Sequence, residues 1–386
     1  MIIQELDDNF YKKQKKVNDD YLKSEQGKGE FICLHGNCTK PAIGSHFFSR
    51  STLYLLSVDG HVLKPIFDSK SNYGKKGLEQ LDKDVSFELV GIKTHHCNFK
   101  GFCPEHERLF NSLDKNTEIL TLKDLIIQVY RNLCKLMFTN KNNNEAILNS
   151  TGLEVDYTKN SISLWAYFLE NLLHDTPHLE DKNSCINKII SNPNNKSIFV
   201  IGPINKTVKN KPDLVFIYKK TKLSFKLALY GKHIFKKDRA DLFFIITPSK
   251  KGSDIIAVCP NNYTKNIQSW LEDEIDILCL VENLMILNEN WFLSPEIINN
   301  WSSEKKNFIE KDLFFHNEFN LNQDYDVSIF DDIRKDLICS GNLTVNRAEK
   351  EKQKFTLPKR LDEETRRENL ALYQFQQIYN TTRDLE

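Results

Sequence analysis

The stretch NFKGFCPEHERLF, residues 98–110, places Cys103, His106 and Glu107 within five positions. A cysteine and a histidine with two residues between them read as half of a metal-binding knuckle. The other half lies upstream in CLHGNC, residues 33–38, where four residues separate Cys33 from Cys38. Two short-spaced pairs set tens of residues apart are the usual form of a tetrahedral site, and thiolate with imidazole suits zinc. Cys33, Cys38, Cys103 and His106 are therefore the expected ligands of a structural Zn²⁺. Gly36 permits the tight turn of the first pair. Pro104 suits the first turn of a helix beginning after Cys103, with Leu109, Phe110 and Leu113 on its apolar side. Cys97 and the adjacent His95 and His96 are spare candidates for one ligand position.

The rest of the chain sets the context. Its 386 residues lead to an expectation of two or three domains. The hydrophobic fraction of 40% and charged fraction of 27% are those of an ordinary globular protein, and the formal net charge of zero names no partner. Residues 1–16 are charged from position 5 onward, with no apolar core of signal-peptide length. No run reaches the roughly 18 apolar residues of a membrane helix. A cytoplasmic protein without membrane contact is expected. The nine cysteines are an odd number and five are scattered singly, which fits a reducing compartment without a disulfide framework.

An α+β protein in several segments is expected. Residues 1–27 read as a polar helix, and 28–118 hold the Cys/His module. Residues 119–195 are helical, with LKDLIIQVYRNLCKLMF and ISLWAYFLENLLH repeating apolar residues at three-and-four spacing, as in a packed helical hairpin. Residues 196–340 form an α/β sheet-containing domain, from the short runs SIFVIG, DLVFIY, LSFKLALY, DLFFIIT and DIIAVC. IQSWLEDEIDILCLVENLMIL is expected to begin as a helix and end as a strand. Residues 341–386 form a charged helix or tail, a docking element for a partner. Residues 196–265 carry 15 Lys or Arg against 4 Asp or Glu, and residues 270–338 carry 5 against 16. Such blocks either face each other or present a basic surface to nucleic acid.

Further groups with chemistry lie near the cysteine pairs. His46 sits in the strand-like run AIGSHFFSRS, and His61 follows the turn in VDGHV. Asn98 falls five residues before Cys103, and Glu107 directly follows His106. Singly, a strand histidine is more often a satisfied core residue than a catalyst.

In order, these residues resemble the zinc-stapled HNH endonucleases of the ββα-metal type. That family runs from a cysteine pair to a strand histidine, an asparagine before the second pair, and a last ligand directly behind it. Cys33/Cys38, His46, Asn98, Cys103/His106 and Glu107 follow that order. AIGSHFFSRS, DGHV and GFCPEHERLF are also similar to segments of uncharacterised bacterial proteins, a resemblance that suggests antiviral defence against phage. Ser45 stands where the family has an acidic residue or histidine, and Glu107 where it ends on histidine. The longer gap from His46 to Asn98 reads as an insertion at 64–86. The resemblance covers about a quarter of the chain.

The resemblance implies a ββα, treble-clef-like module and hydrolysis of phosphodiester bonds in nucleic acid, DNA ahead of RNA. Phosphodiester hydrolysis needs a base for water and neutralisation of the phosphorane charge. His46 is the candidate base, and Glu107 the oxygen ligand of a catalytic Mg²⁺ or Mn²⁺. Asn98 would hold a ligand or position His46. Asp114 is a weaker candidate. His61 is either a second ligand of that ion or a turn histidine facing water. The rival expectations are a non-catalytic zinc-finger module that binds nucleic acid or a protein partner, and a purely structural knuckle. KPDLVFIYKKTKLSFKLALYGK resembles the start of a PD-(D/E)xK strand pair, but beyond Asp213 its second strand carries lysines and no acid. Trp291 and Trp301 are read as core residues before base-stacking ones. Residues 119–386 offer a surface for a protein partner or a second copy of the chain.

Overall fold

The computed structural model describes residues 31–67, 85–116, 119–151, 161–174, 199–201, 214–235, 240–319, 324–362, 365, 366 and 369. The expected helix at 1–27, Asp213 and most of the tail at 357–379 lie outside the described residues. Among the described residues the protein mixes helices with two sheets, antiparallel throughout.

The large sheet is built on the apolar runs. Leu214–Thr221 (β6), Leu227–Phe235 (β7), Ala240–Ser249 (β8) and Gly252–Pro260 (β9) are buried along most of their length. Burial on both faces explains why these segments read as continuous apolar runs and not as alternating ones. Alternation still sorts the side chains. Phe216, Tyr218, Ala228 and Tyr230 enter one core, and Val215, Ile217, Leu227 and Leu229 enter the other. Phe199–Ile201 (β5) adds to β6. At the opposite end Trp291–Leu293 (β10) joins β7 to a hairpin of His61–Phe67 (β2) and Val85–Gly91 (β3). The strand order is β3-β2-β10-β7-β8-β9-β6-β5. One sheet thus draws strands from residues 28–118 and from 196–340.

One face of the sheet is covered by Thr264–Trp270 (α6), Glu274–Leu287 (α7) and Ser303–Phe319 (α8). The expectation that 267–287 ends as a strand is corrected here, because α7 stays helical to Leu287. Ile275, Ile277, Leu278, Leu280, Val281, Leu284, Met285 and Ile286 are all buried, so the helix is apolar on nearly every side. A helix enclosed in this way has lost the one-sided stripe that would mark it in sequence. The strand begins after it, at Trp291, whose buried indole Nε1–H donates to Met285 O at 3.0 Å. Asp331–Cys339 (α9) and Val345–Gln353 (α10) pack on the outside.

The other face carries Arg50–Leu56 (α1) and Leu122–Thr151 (α4), with Ser161–His174 (α5) packed on α4. Phe47 and Phe48 plug this layer into the sheet, with ring centroids 5.4 Å and 5.9 Å from Tyr230. At the edge of the layer lies a two-stranded sheet, Ile43–His46 (β1) against Asn98–Phe102 (β4). It is followed by the short helices Pro104–Glu107 (α2) and Asn111–Lys115 (α3). No helix among the described residues is long and apolar enough to cross a membrane.

Candidate metal centre and the polar cluster beside it

The knuckle at 33–38 is shaped by its backbone before any side chain is considered. Cys33 N–H donates to Lys40 O at 3.0 Å, and Ala42 N–H to Phe31 O at 2.8 Å, which closes a narrow loop. Cys38 N–H reaches back to His35 O at 3.0 Å across Gly36, whose φ of +47° is a left-handed conformation that favours glycine. Leu34 N–H donates to Gly101 O at 2.8 Å and lays the loop against β4. After β4, Pro104 takes the first turn of α2, and Glu107 N–H donates to Cys103 O at 2.9 Å. Cys103 and His106 are thereby turned towards the loop.

The four side chains converge. His106 Nδ1 lies 3.3 Å from Cys33 Sγ and 3.4 Å from Cys103 Sγ, and the Cys38 and Cys103 sulfurs are 4.0 Å apart. All four ligand atoms lie within 4.8 Å of one another. A tetrahedral zinc with ordinary bond lengths sets sulfur pairs at about 3.8 Å and sulfur–nitrogen pairs at about 3.6 Å. The Cys₃His set can hold such an ion. Burial pushes the Cys33 thiol up to about 11. Against the same effect of burial, the backbone amides of His106 and Glu105 hold the Cys103 thiol below its ordinary value. A divalent cation removes the cost of the second buried thiolate by coordinating it. Cys97 lies outside the converging group, and burial pushes its thiol up to about 12. His95 and His96 also lie outside the set.

Glu107 leaves this centre on the other side of α2. Ser45 Oγ donates to Glu107 Oε2 at 2.6 Å, and Arg131 Nη2 donates to Oε1 at 3.3 Å. Arg131 also grips Asp114 with two bonds of 2.9 and 3.1 Å and lies 4.1 Å over the Phe110 ring. Its side chain is fully buried and its Nε has no hydrogen-bond partner. Burial raises the Glu107 carboxyl above its ordinary value despite the nearby guanidinium.

His46 lies at the end of β1, directly across from Asn98 in β4. Ser49 caps α1 by accepting from Thr52 N–H at 3.0 Å, which starts the helix at Arg50. Arg50 Nε then donates to His46 Nε2 at 3.2 Å. Burial, with the positive fields of Arg50 and Arg131, pushes the His46 imidazole down to about 4. The following backbone is pinned from α4, because Asn132 Nδ2 and Gln128 Nε2 donate to Phe47 O at 3.0 and 3.2 Å.

Of the residues named from sequence, Ser45, Glu107 and Asp114 meet around Arg131, and His46 faces the fields of Arg131 and Asp114. Asn98 turns its amide to Thr94 O, donating at 2.7 Å. His61 is exposed at a turn made by Asp59 and Gly60, both with positive φ, and its Nδ1 is 2.9 Å from Asp59 O. Arg131 was not among the sequence candidates. Its signal was an arginine on the helical run LIIQVYRNLCKL, where it stands beside Gln128, Asn132 and Lys135 among apolar residues. A catalytic Mg²⁺ or Mn²⁺ does not fit the cluster as it stands. Both Glu107 oxygens are engaged, a guanidinium fills the space between the carboxylates, and among the described residues no metal-sized group contains Glu107. Comparison with protein-family models, curated proteins and solved structures returned no match.

Proposed function

We propose that the chain is an HNH-like endonuclease acting on the phosphodiester bonds of nucleic acid, DNA ahead of RNA, with zinc in the Cys₃His centre. The observation that carries this reading is the pairing of His46 with Asn98 across β1 and β4, beside the helix that brings Glu107 out of the metal centre. The succession β1, β4, α2 supports the reading, with α1 and the paired strands β2 and β3 lying between β1 and β4, where an insertion at 64–86 is expected. His46 is neutral at pH 7, because its imidazole is pushed down to about 4. Its Nε2 is then free to accept a water proton once Arg50 turns from it to a phosphate. Arg131 holds Glu107 and Asp114 in place without reaching solvent. A role in antiviral defence rests on the resemblance alone, and engagement of a protein partner or second copy through residues 119–386, which the resemblance does not cover, rests on the reading of that part of the sequence.

The saturation of Glu107 by Ser45 and Arg131 favours a second reading, a non-catalytic zinc module that grips nucleic-acid backbone through Arg50 and its neighbours. One experiment separates the two. Zinc-loaded protein is incubated with supercoiled plasmid and with labelled RNA, with and without Mg²⁺ or Mn²⁺, and binding is followed in parallel. Cleavage that falls at least a hundredfold in His46→Ala supports the nuclease. Retarded migration without cleavage, weakened by Arg50→Ala, supports the second reading. Equal cleavage by wild type and His46→Ala removes His46 from the mechanism, and neither binding nor cleavage removes both readings.

A further inference from the structure

A second group of ligand-type side chains lies behind the Cys₃His centre. His35, inside the first knuckle, is buried. Its Nδ1 is 3.0 Å from Tyr130 Oη and 3.8 Å from Glu170 Oε2. Glu170 and His174 are four residues apart on α5, so they share a helix face. The rings of His35 and His174 are 5.4 Å apart. The ligand atoms of His35, Glu170 and His174 all lie within 4.8 Å of one another.

From this we infer a second divalent transition-metal site, with His35, Glu170 and His174 as protein ligands and a fourth position open. Two imidazoles and one carboxylate form a donor set used for zinc with one open position. Two such donors on one tetrahedral ion stand about 3.4 Å apart. The 3.8 Å between His35 Nδ1 and Glu170 Oε2, bridged here by Tyr130 Oη, nearly meets this once that hydroxyl turns aside, and the exposed His174 completes the set. The pocket is shaped for Glu170. Gly36 N–H donates to Glu170 Oε2 at 2.9 Å, and Tyr130 Oη–H to the same oxygen at 3.0 Å. A Cβ at Gly36 would fall 2.5 Å from Glu170 Oε1, so the glycine serves this approach as well as the knuckle turn. Donors to a ligating carboxylate orient it for the metal.

The ion would tie α5 to the loop that carries Cys33 and Cys38. The ring of His35 lies 4.0 Å from that of His106, so the two centres are neighbours. The first would hold the knuckle to α2, and the second would hold the knuckle to the α4–α5 hairpin. This inference rests on no catalytic role for His46 and is tested without a nuclease assay.

Full-length protein, loaded with zinc and freed of excess metal by gel filtration, is measured for zinc per chain. The site requires two equivalents in the wild type and one in His174→Ala and Glu170→Gln, with unchanged folded-state circular dichroism. Titration with Co²⁺ gives an independent readout. One equivalent shows the sulfur-to-cobalt charge-transfer band of a thiolate site. The other shows none, and it alone is lost in His174→Ala. A wild type that binds one equivalent, or a His174→Ala protein that keeps two, overturns the site.

Discussion

At the scale of single residues, the polar cluster beside the metal centre is governed by desolvation. Arg131 is fully buried and is shared by Glu107 and Asp114. Removing one partner of such a group leaves charge without compensation and costs about 3 to 5 kcal/mol. Arg131→Met is expected near the low end, about 3 kcal/mol, because Asp114 is partly exposed. Urea unfolding measures it, and adding Glu107→Gln should restore part of the loss. His46 makes a pH-dependent contribution. Its pKa falls from 6.5 to about 4 on folding. Between those values the unfolded chain takes up a proton that the folded chain does not, so stability falls as pH falls. The loss is complete below about pH 4 and amounts to about 3 kcal/mol. His46→Gln should flatten the stability profile by that amount between pH 6.5 and 4 and leave it unchanged above pH 7, as read from thermal unfolding across pH. These residues differed in how legible they were. Cysteine spacing pointed directly to the four side chains that converge as a candidate metal centre. The grip of Ser45 and Arg131 on Glu107 was hidden, because Arg131 lies on a helix beginning after residue 118 and meets Glu107 only on packing.

At the scale of elements, the metal centre joins pieces too short to stand alone. The loop 31–42, the two-stranded sheet and the four- and five-residue helices α2 and α3 have few hydrogen bonds of their own. Isolated helices of that length do not form in water. Their order would therefore depend on an ion held by the Cys₃His set and on contact with α4. Chelation of zinc should lower the thermal midpoint by about 10 °C or more. Hydrogen exchange should quicken first at Cys33 and Ala42, whose amides close the loop. Slow exchange that persists at both amides after the zinc is gone would show that packing alone holds the loop. The α4–α5 hairpin was plain from its three-and-four repeat, which is local. The strand expected at the end of α7 was misread for the complementary reason: enclosure from several sides erases a stripe.

At the scale of the whole molecule, one sheet links strands that lie far apart in the chain. β10 passes between β2 and β7, so the hairpin of residues 61–91 and the strands of 214–260 share a single set of ladders. The outer helices are locked on by buried charge. Arg334 of α9 bonds both Glu282 of α7 and Glu351 of α10, and all three are buried. Glu282 also accepts from the amides of Ile329 and Phe330 at 2.8 and 3.2 Å. Arg334→Leu would strand the buried Glu282 carboxylate and leave Glu351 to Arg347 and Lys354, and should cost about 3 to 5 kcal/mol. Its signature is a lower urea midpoint, with loss of exchange protection at 331–354 before the sheet. Equal destabilisation of helices and sheet would instead show that the lock is part of one cooperative unit.

The amino-acid order by itself determined what depends on near neighbours: the two cysteine knuckles, the turn before His61, the helical hairpin and the apolar runs that become β6 to β9. Spacing, backbone preference and apolar period are local properties and need no knowledge of what lies opposite. Only the tertiary structure decided that β2 and β3 extend the large sheet, that Arg131 occupies the space between Glu107 and Asp114, and that His35 meets Glu170 and His174. Each of those contacts closes a loop of many residues, so its partner is set by packing and desolvation across the fold and leaves no periodic trace along the chain.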